Sequence, residues 1–379
     1  MGKVHITLVG GQPAPVYNGI LATQPDKVVY IYSDESRPIV EILKSVVKVD
    51  FDDIPPIDPI DPHKIKKLVL YLAEKYKNDE ITVNISSGLK SWTFFFSIVF
   101  DKMTNAAIVY MDQNNVLWNY KNMTHTTEFA FDMHMQFRLY GNPIENHYKS
   151  YSSYNNADHE ALVKVENIRT YNYIEFNSLL SVLDKNSQHK LEQQNSGRFD
   201  LPSGSYVEWE KSSSEKNGFV RINLVKRGER HEVLIESPHA VDIAFNSGWF
   251  ELKVANLLSR WDKSKEICLN CKFPYKQGIA KNEADIIVDT GSKILFVECK
   301  TQINNTTDID KFRSVVKGYG GMGSKALFVT DALMTEMAKE KCEEHGILTF
   351  SLKDSHLGMT TEKALFFLLN NELYSINTK

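Results

Sequence analysis

Asn282-Glu283-Ala284-Asp285 begins a stretch that ends in Glu298-Cys299-Lys300 and contains two short apolar segments, Ala284–Val288 and Ile294–Val297. The residues between these segments, Asp289-Thr290-Gly291-Ser292, are typical of turns, so the pattern predicts a β-hairpin. The acidic and basic residues of the last motif are two positions apart and therefore point to one face of the second strand. The stretch thus predicts two carboxylates and an ammonium group that meet on one side of a hairpin.

This group of side chains suits the metal-dependent hydrolysis of a phosphodiester. The carboxylates of Asp285 and Glu298 are ligands that Mg²⁺ or Mn²⁺ prefers, and the backbone carbonyl of Cys299 is a candidate further ligand. A bound divalent ion lowers the pKa of a coordinated water and neutralises charge on the attacked phosphate. Lys300 can position that water or stabilise the transition state. Solvated charges at a strand end are the alternative, but charges directly after the apolar segment Ile294–Val297 are unexpected unless they are used or paired.

Two charged residues outside the hairpin extend the candidate catalytic set. Glu251 lies near the start of a predicted helix and is a candidate metal ligand, although a carboxylate at that position is also explained by the helix dipole. Lys311 lies on the helix that follows the metal strand and is a candidate catalytic residue. Arg313 and Lys317 lie on the same predicted helix and are candidates to line a path for a phosphate backbone. For Arg313, a position on the solvated face is the simpler interpretation.

Length and composition limit the classes of protein. A chain of 379 residues accommodates two domains or more. Because no run approaches ~18 apolar residues and the first residues match neither a signal peptide nor a myristoylation site, we expect a cytoplasmic protein without a membrane partner. The formal net charge of −4 argues against non-specific coating of nucleic acid but permits a local basic groove. Cys268 and Cys271 lack a second ligand pair for zinc, and nothing indicates disulfides.

Strand and helix patterns alternate over about the first 120 residues, which predicts a parallel, Rossmann-like sheet. Ligands of such sheets bind beyond the carboxyl ends of the strands, where backbone N–H groups at helix N-termini can approach phosphate. Small polar residues follow predicted strands one, two and four, namely Gly10, Gly11, Gln12, Ser33, Asp34 and Ser86–Lys90. Neither a Walker motif nor a dinucleotide motif is present. Ser86-Ser87-Gly88 is equally consistent with an ordinary helix cap, whereas Lys90 can face an anion at the loop.

The segment from about residue 140 to residue 240 has a different pattern. Residues 148–156 are predicted to be a linker, and residues 158–167 and 173–184 to be helices. The polar residues 187–218 are predicted to hold loops. Strands are predicted at Tyr206–Glu210, Phe219–Val225 and Glu232–Ile235. The segment is either a small winged-helix-like connector or a wall of the C-terminal domain.

Together these motifs resemble the CRISPR-associated Rossmann-fold (CARF) nucleases, which join an N-terminal CARF domain to a C-terminal PD-(D/E)xK restriction-endonuclease-like domain. The matching pieces are Gly11-Gln12-Pro13, Asn84–Lys90, Gly248-Trp249-Phe250-Glu251, Asn282–Asp285 and Glu298-Cys299-Lys300. The family's usual Asn-x-Thr-Gly-Gly-Thr-Lys loop is altered here, with Ser87 for a glycine and Leu89 for a threonine. The resemblance implies an α/β fold with a CARF domain at 1–140, a connector at 141–240 and a nuclease domain at 241–379.

The resemblance also implies a function. Two chains would form a homodimer that binds one cyclic oligoadenylate, most often cyclic tetra-adenylate, and the nuclease domains would then cut single-stranded RNA or DNA, or nick plasmid DNA, with Mn²⁺ or Mg²⁺. The implied activator-binding residues are Gly10, Gly11, Gln12, Pro13, Asn18, Ser33, Asp34, Ser86, Ser87, Gly88, Leu89, Lys90 and Met111. Two other functions stay open: a nucleotide-sensing transcriptional regulator with an inactive nuclease-like domain, and an ungated restriction or repair nuclease. The sequence leaves open the ring size, the preference for DNA or RNA, and any degradation of the activator by the first domain.

Overall fold

The computed structural model describes residues 2–127, 129, 131–144, 148–179, 194–214, 216–245, 247–273, 282–302, 306–321 and 324–374. The described strands are β1 Lys3–Leu8, β2 Lys27–Ile31, β3 Asp50–Asp52, β4 Glu80–Asn84, β5 Ala106–Met111, β6 Leu117–Asn119, β7 Thr124–Thr126, β8 Lys149–Ser150, β9 Ser196–Asp200, β10 Tyr206–Glu210, β11 Gly218–Lys226, β12 Glu229–Ser237, β13 Glu266–Phe273, β14 Asn282–Asp289, β15 Ile294–Lys300, β16 Ser324–Thr330 and β17 Ile347–Ser351. The described helices are α1 Pro13–Thr23, α2 Arg37–Val46, α3 Pro62–Lys75, α4 Lys90–Asp101, α5 Met133–Leu139, α6 Asn156–Tyr171, α7 over 173–179, α8 Ala240–Ala244, α9 Gly248–Leu258, α10 Thr307–Tyr319, α11 Glu336–Glu344 and α12 Thr361–Tyr374.

The first sheet has the order β3-β2-β1-β4-β5-β6-β7, and its strands β1 to β5 are parallel. All of β1 except Lys3 is buried, as expected for a central parallel strand with helices on both faces. Apolar residues of α3 and α4 form one core with the sheet, and those of α1 and α2 form another on the opposite face. The predicted α/β class with a Rossmann-like N-terminal domain is confirmed.

The parallel pairing brings three loops to one edge of this sheet. Leu8 pairs with Ile31, and Thr7 pairs with Asn84, so β1, β2 and β4 end side by side. The segments that follow these strands begin near Val9, Tyr32 and Ile85. The loops that the sequence marked as candidate anion sites are therefore neighbours in the fold.

The C-terminal sheet has the order β17-β16-β15-β14-β13-β8. Strands β13, β14 and β15 are antiparallel, and β15, β16 and β17 are parallel. The prediction of a linker at 148–156 is wrong at its start. Lys149 and Ser150 form the outermost strand, β8, and pair with Leu269 and Cys268 of β13. A two-residue strand has too little sequence pattern to be predicted without its partner.

The middle segment forms a four-stranded antiparallel sheet in the order β12-β11-β10-β9. Its first strand, Ser196–Asp200, was expected to be loop, but it pairs with β10 along its whole length, and Gly197 lies against the ring of Trp209. One apolar cluster continues from α6 and this sheet into the C-terminal domain, with Val165, Ile222 and Leu295 among its members. The middle segment therefore shares an apolar core with the C-terminal domain. The predicted helix 173–184 is helical over 173–179, and residues 180–184 and 187–193 lie outside the described residues.

No helix in the described part of the chain is long and apolar enough to span a bilayer.

Candidate active site

The β14–β15 hairpin brings the three predicted catalytic side chains together. Asp289 pairs with Ile294 and Ile286 with Val297, so the two strands are antiparallel and in close register. Lys300 Nζ lies 2.6 Å from Glu298 Oε1 and 3.6 Å from Asp285 Oδ2. The two carboxylate side chains are only 13% and 17% exposed. Two largely buried acids therefore converge on one ammonium group.

Backbone geometry fixes the first of these acids. The Cys299 amide donates a hydrogen bond of 2.8 Å to Asp285 Oδ2. Because an amide donor stabilises a charged carboxylate, this bond holds one oxygen of Asp285 in place and leaves the other for a cation. The Cys299 thiol is buried, and burial raises the pKa of its thiol, so this side chain is not a nucleophile at neutral pH.

Helix α9 adds a third buried carboxylate. Glu251 lies in the first turn of α9 and is 9% exposed. Burial and then the nearby charges of Asp285 and Glu283 raise the pKa of Glu251 well above its usual value. The helix dipole alone would lower the pKa of a carboxylate at this position, so burial and acidic neighbours dominate.

The remaining titrations have the same physical origin. Burial, followed by the charge of Asp285, raises the pKa of Glu298 to about 7. Burial also raises the pKa of Asp285, against the opposing effect of Lys300. Although burial opposes it, the charges of Asp285 and Glu298 raise the pKa of Lys300, which keeps it protonated. Three acids share one lysine, so the cluster has an excess of negative charge when ionised.

These residues fit a hard divalent cation. Glu251, Asp285 and Glu298 supply carboxylate oxygens, which is the donor type that Mg²⁺ and Mn²⁺ take in phosphate-processing sites. Burial first, and then their mutual repulsion, raise the pKa values of Glu251 and Glu298, and a divalent ion would offset both effects. The donor set contains no accessible thiolate or imidazole that would favour zinc.

Lys311 does not join this cluster. Its side chain is 79% exposed on α10, with its Nζ 4.0 Å from Asp308 Oδ1. Two acids that the sequence analysis did not select act on the cluster. The charge of Glu283 raises the pKa of Glu251, and the charge of Asp308 raises the pKa of Glu298. The signal for Glu283 was its position two residues before Asp285, on the same face of β14.

The predicted activator loops of the first sheet pack directly against each other. The Gly10 amide donates to Ser87 Oγ at 3.0 Å, and a Cβ built on Gly10 would lie 2.7 Å from the Gly88 nitrogen. Gly88 has φ of +87°, and its own Cβ would lie 2.7 Å from Leu8 Cβ. The backbone at Met111 is tied to the same loop, because the Met111 amide donates a hydrogen bond of 2.6 Å to Ser86 Oγ. Small residues are therefore required for this loop contact.

The thirteen predicted activator residues differ in how the structure presents them. Gly11, Asp34, Leu89 and Lys90 are exposed, and Gly10, Gln12, Ser86 and Gly88 are partly exposed. The remaining members are buried: Pro13, Asn18, Ser33, Ser87 and Met111. Asn18 is fully buried, with its amide group bonded to Asn115 and Gln136. The structure thus does not bring the side chains of Asn18 and Met111 to the loop surface.

Comparison with known proteins decides the type of the first domain. Residues 4–140 match the family model of the Card1 CARF domain. The N-terminal domain is a CARF domain. No curated protein matches the sequence.

Solved structures share the architecture over nearly the whole chain. Can2 from Sulfobacillus thermosulfidooxidans, solved with cyclic tetra-adenylate, is 17% identical with a TM-score of 0.65, over 98% of this chain and 100% of that chain. Protein VC1899 from Vibrio cholerae is 16% identical with a TM-score of 0.70, over 98% of each chain. A type III CRISPR defence DNA nuclease activated by cyclic oligoadenylate is 13% identical with a TM-score of 0.54, over 94% of this chain and 49% of that chain. At these identities the likeness establishes the fold of the CARF domain together with the region that follows it.

Proposed function

We propose that this CARF protein is a metal-dependent nuclease of type III CRISPR defence whose activity is switched on by a cyclic oligoadenylate. The observation that carries the proposal is the buried convergence of Asp285, Glu298 and Lys300, with Glu251 beside them, in a chain that also has a CARF domain. Burying three acids is unfavourable for stability unless a ligand uses them. The C-terminal domain is, on this proposal, of the PD-(D/E)xK type.

The carboxylates of Glu251, Asp285 and Glu298, with the Cys299 carbonyl, would hold Mg²⁺ or Mn²⁺. When bound, such an ion supplies an acidified water and neutralises charge on the scissile phosphate. The amide of Cys299 holds Asp285 in one orientation. Buried surroundings keep bulk water away from the acids and strengthen each electrostatic interaction there.

Lys300 has a separate task. Its two acidic neighbours keep it protonated at neutral pH, so it acts as a fixed positive charge and hydrogen-bond donor, not as a base. A cation at this position stabilises the negative charge that develops on the phosphate oxygens in the transition state. The Nζ of Lys300 lies 2.6 Å from Glu298 Oε1, so the same ammonium group would lie beside a phosphate bound next to that carboxylate.

The activator is proposed to be cyclic tetra-adenylate, bound at the loops after β1 and β4. The Can2 structure, which matches over 98% of this chain, contains that ligand, and the same fold is present here. We also propose a homodimer, with single-stranded RNA or DNA, or supercoiled plasmid, as the substrate. A tight switch requires that the activator bind the active state about 10⁴-fold more strongly than the resting state.

The test is cleavage of labelled single-stranded RNA, single-stranded DNA and supercoiled plasmid with Mn²⁺, with and without cyclic tri-, tetra- and hexa-adenylate. The wild-type chain is compared with Glu298→Gln, which keeps the side-chain shape, and with Glu236→Gln, a control on the exposed face of β12. We expect cleavage that needs both the metal and one ring, that is abolished in Glu298→Gln and that is unchanged in Glu236→Gln.

Each other outcome selects a different function. Cleavage without any ring would exclude gating and favour an ungated nuclease. Ring binding by calorimetry without cleavage of any substrate would favour a nucleotide-sensing regulator. Cleavage that survives in Glu298→Gln would move the active site away from the β14–β15 hairpin.

A further inference from the structure

A large cavity lies between the loop edge of the CARF sheet and the C-terminal domain. Its volume is about 1020 Å³, at or above the roughly 300–1,000 Å³ of common small-molecule sites. One wall comes from the first domain, with Gly11 and Gln12 of the β1 loop and the β5–β6 turn at Gln113 and Asn114. The opposite wall comes from the C-terminal domain. The cavity is therefore continuous with one of the predicted activator loops.

The C-terminal wall is strongly basic. Arg313 and Lys317 lie one turn apart on α10, and Lys325 lies at the start of β16. In the part of the chain that the structure describes, none of these three side chains forms an ion pair with a carboxylate. Glu372 is the acidic residue among those that line the cavity. Cations that have no ion-pair partner and line one cleft attract an anion, because the low-dielectric walls of a cleft focus their field.

Lys293 is the most informative cation of this wall. It is 6% exposed, its Nζ donates 2.8 Å to Asn114 Oδ1 and it also donates to the Leu373 carbonyl. Burial and then the charge of Lys325 lower its pKa. No carboxylate among the described residues forms an ion pair with it. Its Nζ also lies 5.2 Å from the centre of the Tyr374 ring, and the charge of Asp112 partly offsets the lowering of its pKa. A buried ammonium without a carboxylate in an ion pair is still costly, and an anion in the cavity would compensate it.

We propose that this cavity is the second half of the activator site, in which the C-terminal domain binds the phosphodiester groups of the ring held by the CARF loops. The inference rests on the proposed function and extends it, because it assigns Arg313, Lys317, Lys325 and Lys293 as phosphate-binding residues. On the CARF wall, no atom lies within 4 Å of a Cβ built on Gly11, so Gly11 and Gln12 leave room for the adenylate. A ring that touches both walls binds one arrangement of the two domains better than any other, which is the requirement for a switch.

The same elements connect the cavity to the carboxylate cluster. Lys293 directly precedes β15, and Glu298 and Lys300 lie at its other end, a span of about 17–23 Å along the strand. Helix α10 begins near Asp308, whose charge acts on Glu298, and carries Arg313 and Lys317 toward its other end. A phosphate bound to Arg313 or Lys293 would therefore contact a helix and a strand whose opposite ends lie at the candidate active site.

The test uses the full-length protein and the double variant Arg313→Ala/Lys317→Ala. Both residues are exposed on α10, so the variant should fold. The control is Lys353→Ala/Lys363→Ala, which removes two exposed lysines of the same domain that do not line the cavity. Calorimetry measures the Kd of cyclic tri-, tetra- and hexa-adenylate, and fluorescence anisotropy measures the Kd of an uncleavable single-stranded oligonucleotide. We expect at least a tenfold weaker Kd for the ring in the Arg313/Lys317 variant and less than a twofold change in the control.

The two binding measurements separate the possible failures. If the wild-type chain binds a ring and the Arg313/Lys317 variant binds it equally well, this inference is wrong while the proposed function stands. If only oligonucleotide binding weakens, the cavity is a substrate path and not an activator site, which also overturns it. If the wild-type chain binds no ring of any size, the proposed function fails and this inference fails with it.

Discussion

The carboxylate cluster of the C-terminal domain and the loop edge of the CARF domain are built in opposite ways. The cluster consists of long charged side chains, with Lys300 2.6 Å from Glu298 and three acids in competition for it. The loop edge consists of glycines and short hydroxyl groups whose polar atoms are bonded to one another, as in the Gly10–Ser87 contact. The cluster therefore contains unfavourable charge repulsion, whereas the polar groups of the loops are bonded to one another. Removal of a side chain should affect chemistry at the first site, and addition of one should affect structure at the second.

The largest expected effect is at the lysine of the cluster. Lys300→Ala removes the charge that would face the scissile phosphate and leaves Asp285 and Glu298 without their cation. We expect cleavage to fall about 10²–10³-fold, as for the loss of one transition-state donor, while ring binding is unchanged. Single-turnover cleavage in Mn²⁺ measures this, with Lys353→Ala as the control for loss of a lysine. Equal losses in both variants would mean that Lys300 has no special role.

The strain in the cluster gives a pH-dependent prediction for the metal-free protein. The pKa of Glu298 is about 7 in the fold, above the usual value of 4.5, so the folded state holds this proton more tightly than the unfolded state. This contribution to stability is fully present below about pH 4.5 and is lost as the pH rises through 7, a change on the order of 3 kcal/mol. Glu298→Gln should remove this loss and be the more stable protein at pH 8 in EDTA.

Thermal unfolding between pH 5 and pH 8 measures the difference, and Glu236→Gln supplies the background of an exposed glutamate. Addition of Mn²⁺ should stabilise the wild-type chain at pH 8 and have a smaller effect on Glu298→Gln, because a metal ligand is missing. A wild-type curve that is parallel to that of Glu298→Gln at every pH would show that the cluster is not strained by its buried charge.

The contrast between the two regions also explains what the sequence can predict. The hairpin acids lie 13 residues apart on two adjacent strands, and an alternation of period two with a turn between the strands is sufficient to place them. Glu251 joins them only through the packing of α9, so the sequence could nominate it at the start of a helix but could not place it beside the hairpin. Asn18 was nominated by resemblance alone, but Gln136, which lies far along the chain, packs on it and buries it. Likewise, tertiary packing decides which face of α10 lines the cavity. Arg313 lies on that face, and Lys311 does not.

The loop edge should be sensitive to one added methyl group. Gly88 has φ of +87°, and an added Cβ would lie 2.7 Å from Leu8 Cβ, so Gly88→Ala combines backbone strain with a clash. We expect a loss of about 2 kcal/mol in unfolding free energy, together with weaker ring binding. Gly11→Ala is the matched control, because no atom lies within 4 Å of its added Cβ. Urea unfolding measures the stability of both variants, and calorimetry measures their ring binding. Equal stability of the two variants would contradict the strained loop.

The smallest expected effect is at Tyr140, where the two regions meet. Its hydroxyl donates 2.8 Å to Gln12 Oε1 of the β1 loop, and its ring lies about 3 Å from the position of a Cβ on Gly321, just after α10. Burial raises the pKa of Tyr140 to about 12, so the hydroxyl stays a donor at every working pH. Tyr140→Phe removes that one hydrogen bond and keeps the aromatic ring, so we expect a loss of about 1 kcal/mol in stability.

The same variant tests whether the contact couples the loop to α10. If it does, the concentration of cyclic oligoadenylate for half-maximal cleavage should change several-fold while maximal cleavage stays the same. Tyr71→Phe, at a tyrosine that is 55% exposed on α3, is the control, and a change in maximal cleavage without a change in half-maximal concentration would place Tyr140 outside the coupling.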